Sequence, residues 1–160
     1  MCAYIAKKTQ VHSEASQLNI GADSFKDIRS EVEANIRERI VYKIQENIEL
    51  GFDMFDYAMT DDPIGPSDHI RTTLDFLDNN IKMLKKLSDK VQATTLFYVC
   101  SQLNTTLLEW LLDDGYCSQI SFNSLRQIMI DVNYLENYAT INNPESAEAF
   151  EAVCLFLTQL

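Results

Sequence analysis

The chain has 160 residues, enough for one domain with a continuous core, and its 46% hydrophobic content comes with only four Gly and three Pro. So few turn-formers cannot punctuate a many-stranded β fold, so long helices are expected. A formal net charge of −11, with no basic run longer than Lys7-Lys8 or Lys85-Lys86, argues against DNA, RNA and acidic lipid surfaces as partners.

Residues 1–21 read as the end of a preceding element or a frayed terminus, and 22–160 as the helical domain. The opening "MCAYIAKKTQVHSEASQLN" lacks the apolar core of a signal peptide. Ser24 is a candidate cap, with Asp27 three residues on, for a long first helix over 24–58. Phe25, Ile28, Val32, Ile36, Ile40, Ile44 and Ile48 repeat mostly every fourth residue, and Val41, Phe52 and Phe55 take up the stripe as it rotates. At 1.5 Å per residue the helix would run roughly 50 Å, which suggests a rod. Glu33 and Arg37 are spaced for an i,i+4 ion pair.

"TDDPIGPSDH" interrupts the pattern, and Ser67 is placed to cap the next helix. There Ile70, Leu74, Leu77, Ile81 and Leu84 form a seam in steps of four and three. Ser88 caps a third helix after a very short turn, so the second and third should lie antiparallel. In that third helix Val91, Leu96, Phe97, Val99, Cys100, Leu103, Leu107, Leu108, Trp110 and Leu111 cover most of the circumference, the pattern of a helix surrounded by others. It is a poor membrane span, because Gln92, Ser101, Gln102, Asn104 and Glu109 would enter about 30 Å of hydrocarbon. Ser121 caps a fourth helix with an inward seam of Leu125, Ile128, Val132 and Leu135. After "TINNPES" a fifth carries Ala147, Phe150, Val153, Cys154 and Leu157, and the chain ends at Leu160 inside an apolar run, as a truncated helix would. The expected fold is all-α, an antiparallel bundle or rod of about five helices.

Residues for catalysis or metal binding are scarce. Cys2, Cys100, Cys117 and Cys154 form no Cys-x-x-Cys pair; Cys100 and Cys154 read as buried apolar residues of a reduced intracellular protein. His12 and His69 stand apart in polar surroundings, and no Glu-x-x-His di-iron pattern, phosphate loop or nucleophile elbow occurs. The acids Asp53, Asp56, Asp61, Asp62 and Asp68 lack the ligand spacing of a calcium loop; they read as a solvated helix-end loop, with an electrostatic contact for a basic partner as the functional alternative. An enzyme would need inward-facing paired carboxylates or a histidine, and the assigned seams are Leu, Ile, Val, Phe and Cys. No catalytic residue, metal or cofactor is expected.

Five strings in register carry a resemblance: "SFKDIR" at 24–29, "FDYAMTDDPIGPSDHIRTTLDFL" at 55–77, "LSDKVQATTLFYVCSQLNTTLLEWLLDD" at 87–114, "QISFNSLRQIMIDVNYLENYA" at 119–139 and "AFEAVCLFLTQL" at 149–160. Together they resemble the C-terminal region of the Sec-fifteen subunit of the exocyst, a vesicle-tethering complex. The resemblance implies a helical rod without catalysis, cytoplasmic and peripheral at secretory vesicles and sites of exocytosis. It also implies other exocyst subunits and a GTP-bound Rab GTPase as partners; the net charge and the polar residues of the third helix separately argue against nucleic acid and direct membrane insertion.

The family places its Rab contact on helices of this region, and its animal members carry Asn-Leu-Asp where this chain reads Met129-Ile130-Asp131. On the fourth helix, with its seam inward, Arg126, Ile130, Asn133 and Asn137 face roughly the other way and Met129 lies at the boundary. These five are the candidate Rab-binding residues. The bland alternative for Ile130 is packing on a neighbouring helix. The alternative for the whole chain is a structural segment that docks other tethering subunits without touching a GTPase.

Overall fold

A computed structural model describes residues 2–118 and 120–159, leaving the side chains of 2–23, 116 and 117 outside the description. Among the described residues every regular element is helical: α1 (Cys2–Asp53), α2 (Asp68–Leu84), α3 (Asp89–Leu111), the short α4 (Asp114–Cys117), α5 (Phe122–Asn142), α6 (Pro144–Ala147), a 3₁₀ turn (Glu148–Phe150) and α7 (Glu151–Leu157). The chain divides into two compact units, 1–36 and 37–160.

In the first unit Ser24 lies inside α1 and does not cap it, because the helical backbone already begins at Cys2. Gly21 is the only breaker on the way, and one Gly costs about 1 kcal/mol relative to Ala, too little to stop a helix. Phe25, Ile28 and Val32 stand 79%, 58% and 50% exposed, an apolar stripe open to solvent. Glu33 pairs with Arg29 at 2.6 Å, and the expected partnership with Arg37 gives way to it. Arg37, in the second unit, sits over the Tyr98 ring, 4.7 Å from its centre.

The second unit holds the core. Ile40, Ile44, Ile48 and Phe52 of α1 are buried there. The helix stops at Asp53, short of residue 58, because the aromatic side chains that follow are drawn onto α3. Trp110 stacks on Phe52 with ring centres 3.9 Å apart, Phe55 meets its edge at 5.5 Å, and its indole N–H donates to the Tyr57 hydroxyl at 2.9 Å. That hydroxyl donates in turn to the Phe52 carbonyl at 2.9 Å, closing a turn that a continued helix would not allow.

Ile70, Leu74, Leu77, Ile81 and Leu84 of α2 are all buried, as their spacing requires. The short link at Lys85–Ser88 returns the chain into α3, whose first turn is capped by the Ser88 hydroxyl accepting from Val91 N–H at 3.1 Å. Such a cap contributes about 1 kcal/mol. The helix α3 buries residues on several sides, from Val91 through Leu96, Val99, Leu103 and Leu107 to Leu111, and α2, α6, the 3₁₀ turn and α7 pack against it. Phe97 is the exception to the expected coverage: it stands 45% exposed beside Tyr98. The polar Asn104 also has a structural task, its side-chain oxygen accepting from Val153 N–H at 3.2 Å near the start of α7. No described helix is long and apolar enough to cross a membrane.

The expected fifth helix is broken into α6, the 3₁₀ turn and α7, with Phe150, Val153 and Leu157 buried and Cys154 half-buried. Burial pushes the Cys100 thiol up to about 12 and raises that of Cys154, where Glu136 adds to the shift.

Candidate functional site

The expected fourth helix is α5, and its first turn forms as the sequence suggests: the Ser121 hydroxyl accepts from Ser124 N–H at 3.1 Å. Ile128, Val132 and Leu135 are buried, while Leu125 is only half-buried. The inward seam is not purely apolar, because Ser124, Gln127 and Asp131 are buried with it. They are buried because the segment between α1 and α2 lies along this side of α5.

Apart from the Ser124–Asp56 bond, that segment is stitched to α5 in ascending order, from Tyr57 on Ser121 to Ser67 on Asp131, so the two run in the same direction. Ser121 N–H donates to the Tyr57 carbonyl at 2.8 Å, and the Ser121 hydroxyl to the Met59 carbonyl at 2.8 Å. Ser124 Oγ donates to the Asp56 carbonyl at 2.8 Å and accepts from Met59 N–H at 3.1 Å. Further along, Asn123 Nδ2 donates to the Thr60 carbonyl at 2.7 Å and Arg126 pairs with Asp62 at 2.5 Å. Gln127 Nε2 donates both to the Gly65 carbonyl at 2.9 Å and to Asp131 Oδ1 at 3.0 Å.

Asp131 closes the seam. It is 4% exposed, and its two oxygens accept from Ser67 N–H at 2.7 Å and the Ser67 hydroxyl at 2.5 Å. This corrects the sequence reading of Ser67. It stands at the N-cap position of α2 but makes no side-chain cap bond, because a carboxylate 64 residues away takes its hydroxyl. Burial raises the Asp131 carboxyl above its ordinary range, although the Ser67 and Gln127 donors and His69 pull the other way.

The five candidate residues fall on the outer side of α5. Arg126, Met129, Asn133 and Asn137 are exposed, and Ile130 is half-buried. Met129 is 38% exposed, and Tyr134, four residues beyond Ile130, is 45% exposed. Arg126 is committed to Asp62, so it serves the loop as well as the surface. Two residues escaped the sequence reading. Asp131 was noted there only as part of a tripeptide, and its buried anchoring role has no local signal. Ile64 lies in the stitched loop between Pro63 and Gly65, with a relative exposure of 102%. Its neighbours Asp62 and Gly65 are tied to Arg126 and Gln127, so it is held beside the first turns of α5. The Pro-x-Gly-Pro punctuation around it was the available clue.

Among the described residues no group of His, Cys, Asp or Glu is arranged to hold a metal ion. What the outer face of α5 offers is a mixed surface of Met129, part of Ile130, a guanidinium and two asparagine amides, with Ile64 exposed on the loop bonded alongside. That is the make-up of a protein contact, with a few large side chains surrounded by polar groups.

The family described as "Exocyst complex subunit Sec15 C-terminal" matches residues 2–160. Exocyst complex component 6 of Mus musculus and of Homo sapiens are each 29% identical over 120 residues, 75% of this chain and 15% of theirs. Exocyst complex component 6B of Homo sapiens is 28% identical over 121 residues, 74% of this chain and 14% of its own length. The chain thus spans about 15% of the length of these relatives. No solved structure matches it.

Proposed function

The chain belongs to this exocyst C-terminal family, and from that premise we propose that it is a non-catalytic interaction segment of a tethering subunit that binds a GTP-loaded Rab GTPase through the outer face of α5. In this reading it works in the cytoplasm, peripheral at secretory vesicles and sites of exocytosis, alongside other exocyst subunits and without entering the membrane. The observation that carries it is the patch of Arg126, Met129, Ile130, Asn133 and Asn137, supported from beside by Ile64 and backed by a fully bonded seam.

The physics of such recognition is simple. The switch loops of a GTPase are ordered while the γ-phosphate is bound and released after hydrolysis. A rigid patch gains affinity for the ordered form, whereas the GDP form would have to order its loops on binding. A standard interface covers about 800 Å² per partner, more than five side chains supply. Ile64 and Tyr134, both exposed, would add apolar area to the patch.

Calorimetric titration of the chain with secretory Rabs loaded with a GTP analogue or with GDP tests the reading. Binding to the GTP form only is expected, and Met129→Glu and Ile64→Glu should each weaken it at least tenfold with the helical circular dichroism unchanged. Equal binding of both nucleotide forms, or none, would remove the GTPase from the account.

The exposed stripe of Phe25, Ile28 and Val32 in the first unit favours a second reading, a structural segment on which another tethering subunit lays a helix. Under it, Val32→Glu abolishes subunit co-assembly and the nucleotide state of Rab has no effect.

A further inference from the structure

A separate feature of the second unit is an open cleft of about 580 Å³ where the end of α1, the following loop and the start of α2 meet. Its lining is apolar where Leu50, Met54, Phe55 and Met59 come together. Leu50 and Met54 are 59% and 79% exposed, so large apolar side chains line an open surface here. Methionines adapt to irregular partners. At the back of the cleft Gly51 lets the His69 ring pack directly on α1, since an added Cβ would come within 2.4 Å of it.

The electrical surroundings select the occupant. Residues 44–70 carry seven carboxylates (Glu46, Glu49, Asp53, Asp56, Asp61, Asp62 and Asp68) and no Lys or Arg. Asp56 and Asp68 stand on the cleft itself. The last turn of α1, which contributes Leu50 and Gly51, has no basic residue, so no side-chain cation offsets the negative end of that helix, although the Phe52 carbonyl accepts from the Tyr57 hydroxyl. The positive end of α2 is already answered by Asp68 in its first turn and by the Asp131 carboxylate on Ser67. Of the nearby cations, Arg126 is held by Asp62 and Arg71 lies 3.8 Å from Asp68 on an exposed pair. His69, whose proton affinity is lowered by burial, does not offset the acids at neutral pH.

We propose that this cleft receives a cationic amphipathic segment of a partner protein, seating a large apolar side chain against Leu50, Met54, Phe55 and Met59 while flanking Lys or Arg residues meet Asp56 and Asp68. The volume lies within the range of about 300–1,000 Å³ that accommodates specific ligands. None of Arg126, Met129, Ile130, Asn133 and Asn137 lines the cleft, so this contact stands or falls apart from the Rab reading.

The test is fluorescence anisotropy of the whole chain with a short labelled Lys/Leu amphipathic peptide, and with its Glu/Leu counterpart. Saturable binding of the Lys/Leu peptide alone is expected. Leu50→Glu and Met54→Glu, both at exposed positions, discriminate seating from general attraction between a basic peptide and an acidic protein. Each adds an acid, so a diffuse contact would tighten, whereas a seated apolar side chain would lose its site and bind at least tenfold more weakly. Tightened or unchanged affinity in both variants, binding of the Glu/Leu peptide, or no binding at all overturns the proposal. So does concentration-dependent self-association that the same substitutions abolish, since the occupant would then be a second copy of this chain. Circular dichroism confirms that each variant is folded, and two variants guard against the failure of one.

Discussion

Asp131→Ala puts the stitched loop to its sharpest test. The substitution removes the acceptor for three donors: Ser67 N–H, the Ser67 hydroxyl and one hydrogen of the Gln127 amide. Gln127 keeps its bond to the Gly65 carbonyl, so it is only partly orphaned. The half-buried Ser67 hydroxyl can turn to water, and the main loss falls on the Ser67 N–H. Leaving one buried donor unsatisfied costs about 1–3 kcal/mol, and the weakened hydroxyl and amide bonds add about 1 kcal/mol. Removing a carboxylate whose burial is itself unfavourable returns part of this, as the upward shift of its proton affinity indicates. A net loss of about 2–3 kcal/mol follows, read as a lower urea midpoint by circular dichroism. Asp131→Asn keeps one acceptor oxygen and should cost less than half as much. Binding should suffer in Asp131→Ala even under conditions where it remains folded, because Ser67 holds the far end of the segment that carries Ile64. If Asp131→Ala denatures within about 0.5 kcal/mol of the parent chain, the seam contributes nothing and the reasoning fails.

Leu103→Ala, in the middle of α3 and 2% exposed, should cost about 2–5 kcal/mol through the cavity it leaves, measured by chemical denaturation. The Cys100 thiol, pushed up to about 12 by burial, should stay unalkylated by iodoacetamide near neutral pH until the chain unfolds, as peptide mass spectrometry would show. His69 has a proton affinity lowered from the ordinary value of 6.5 by burial, against the opposite pull of Asp131 and Asp68. The unfolded chain therefore takes up this proton first on acidification. The His69 contribution is complete above pH 6.5 and is lost as pH falls from there towards the lower folded value. The stability difference between the parent chain and His69→Gln should shrink over that window, and a difference independent of pH would contradict the burial of the ring.

How much the sequence revealed depended on how local each cause was. The seam of α2 and the caps Ser88 and Ser121 were legible because spacing and a side chain bonding three residues ahead are contained in one short window. The central place of α3 was legible because apolar residues on most sides leave no face for water. Ser67 misled for the opposite reason: its cap position is local, but its hydroxyl answers to Asp131 on another helix. The burial of Ser124 and Gln127 was invisible for the same cause, since a loop and not a helix covers them. The outer face of α5 followed from the seam opposite it, whereas Ile64 is given by how the loop is tied down. The start of α1 was misjudged at Ser24, where a good capping residue sits in a helix that had no need of one.

Trp110 is the only tryptophan in the chain, and its ring lies against Phe52 with the Tyr57 hydroxyl on its indole nitrogen. The molecule thereby carries an intrinsic optical reporter at the junction of α1 and α3. Its emission will shift red when the end of α1 peels away, whether or not the helices themselves have melted. Comparing that shift with the loss of ellipticity during denaturation would show whether the second unit opens in one concerted event or sheds this corner first.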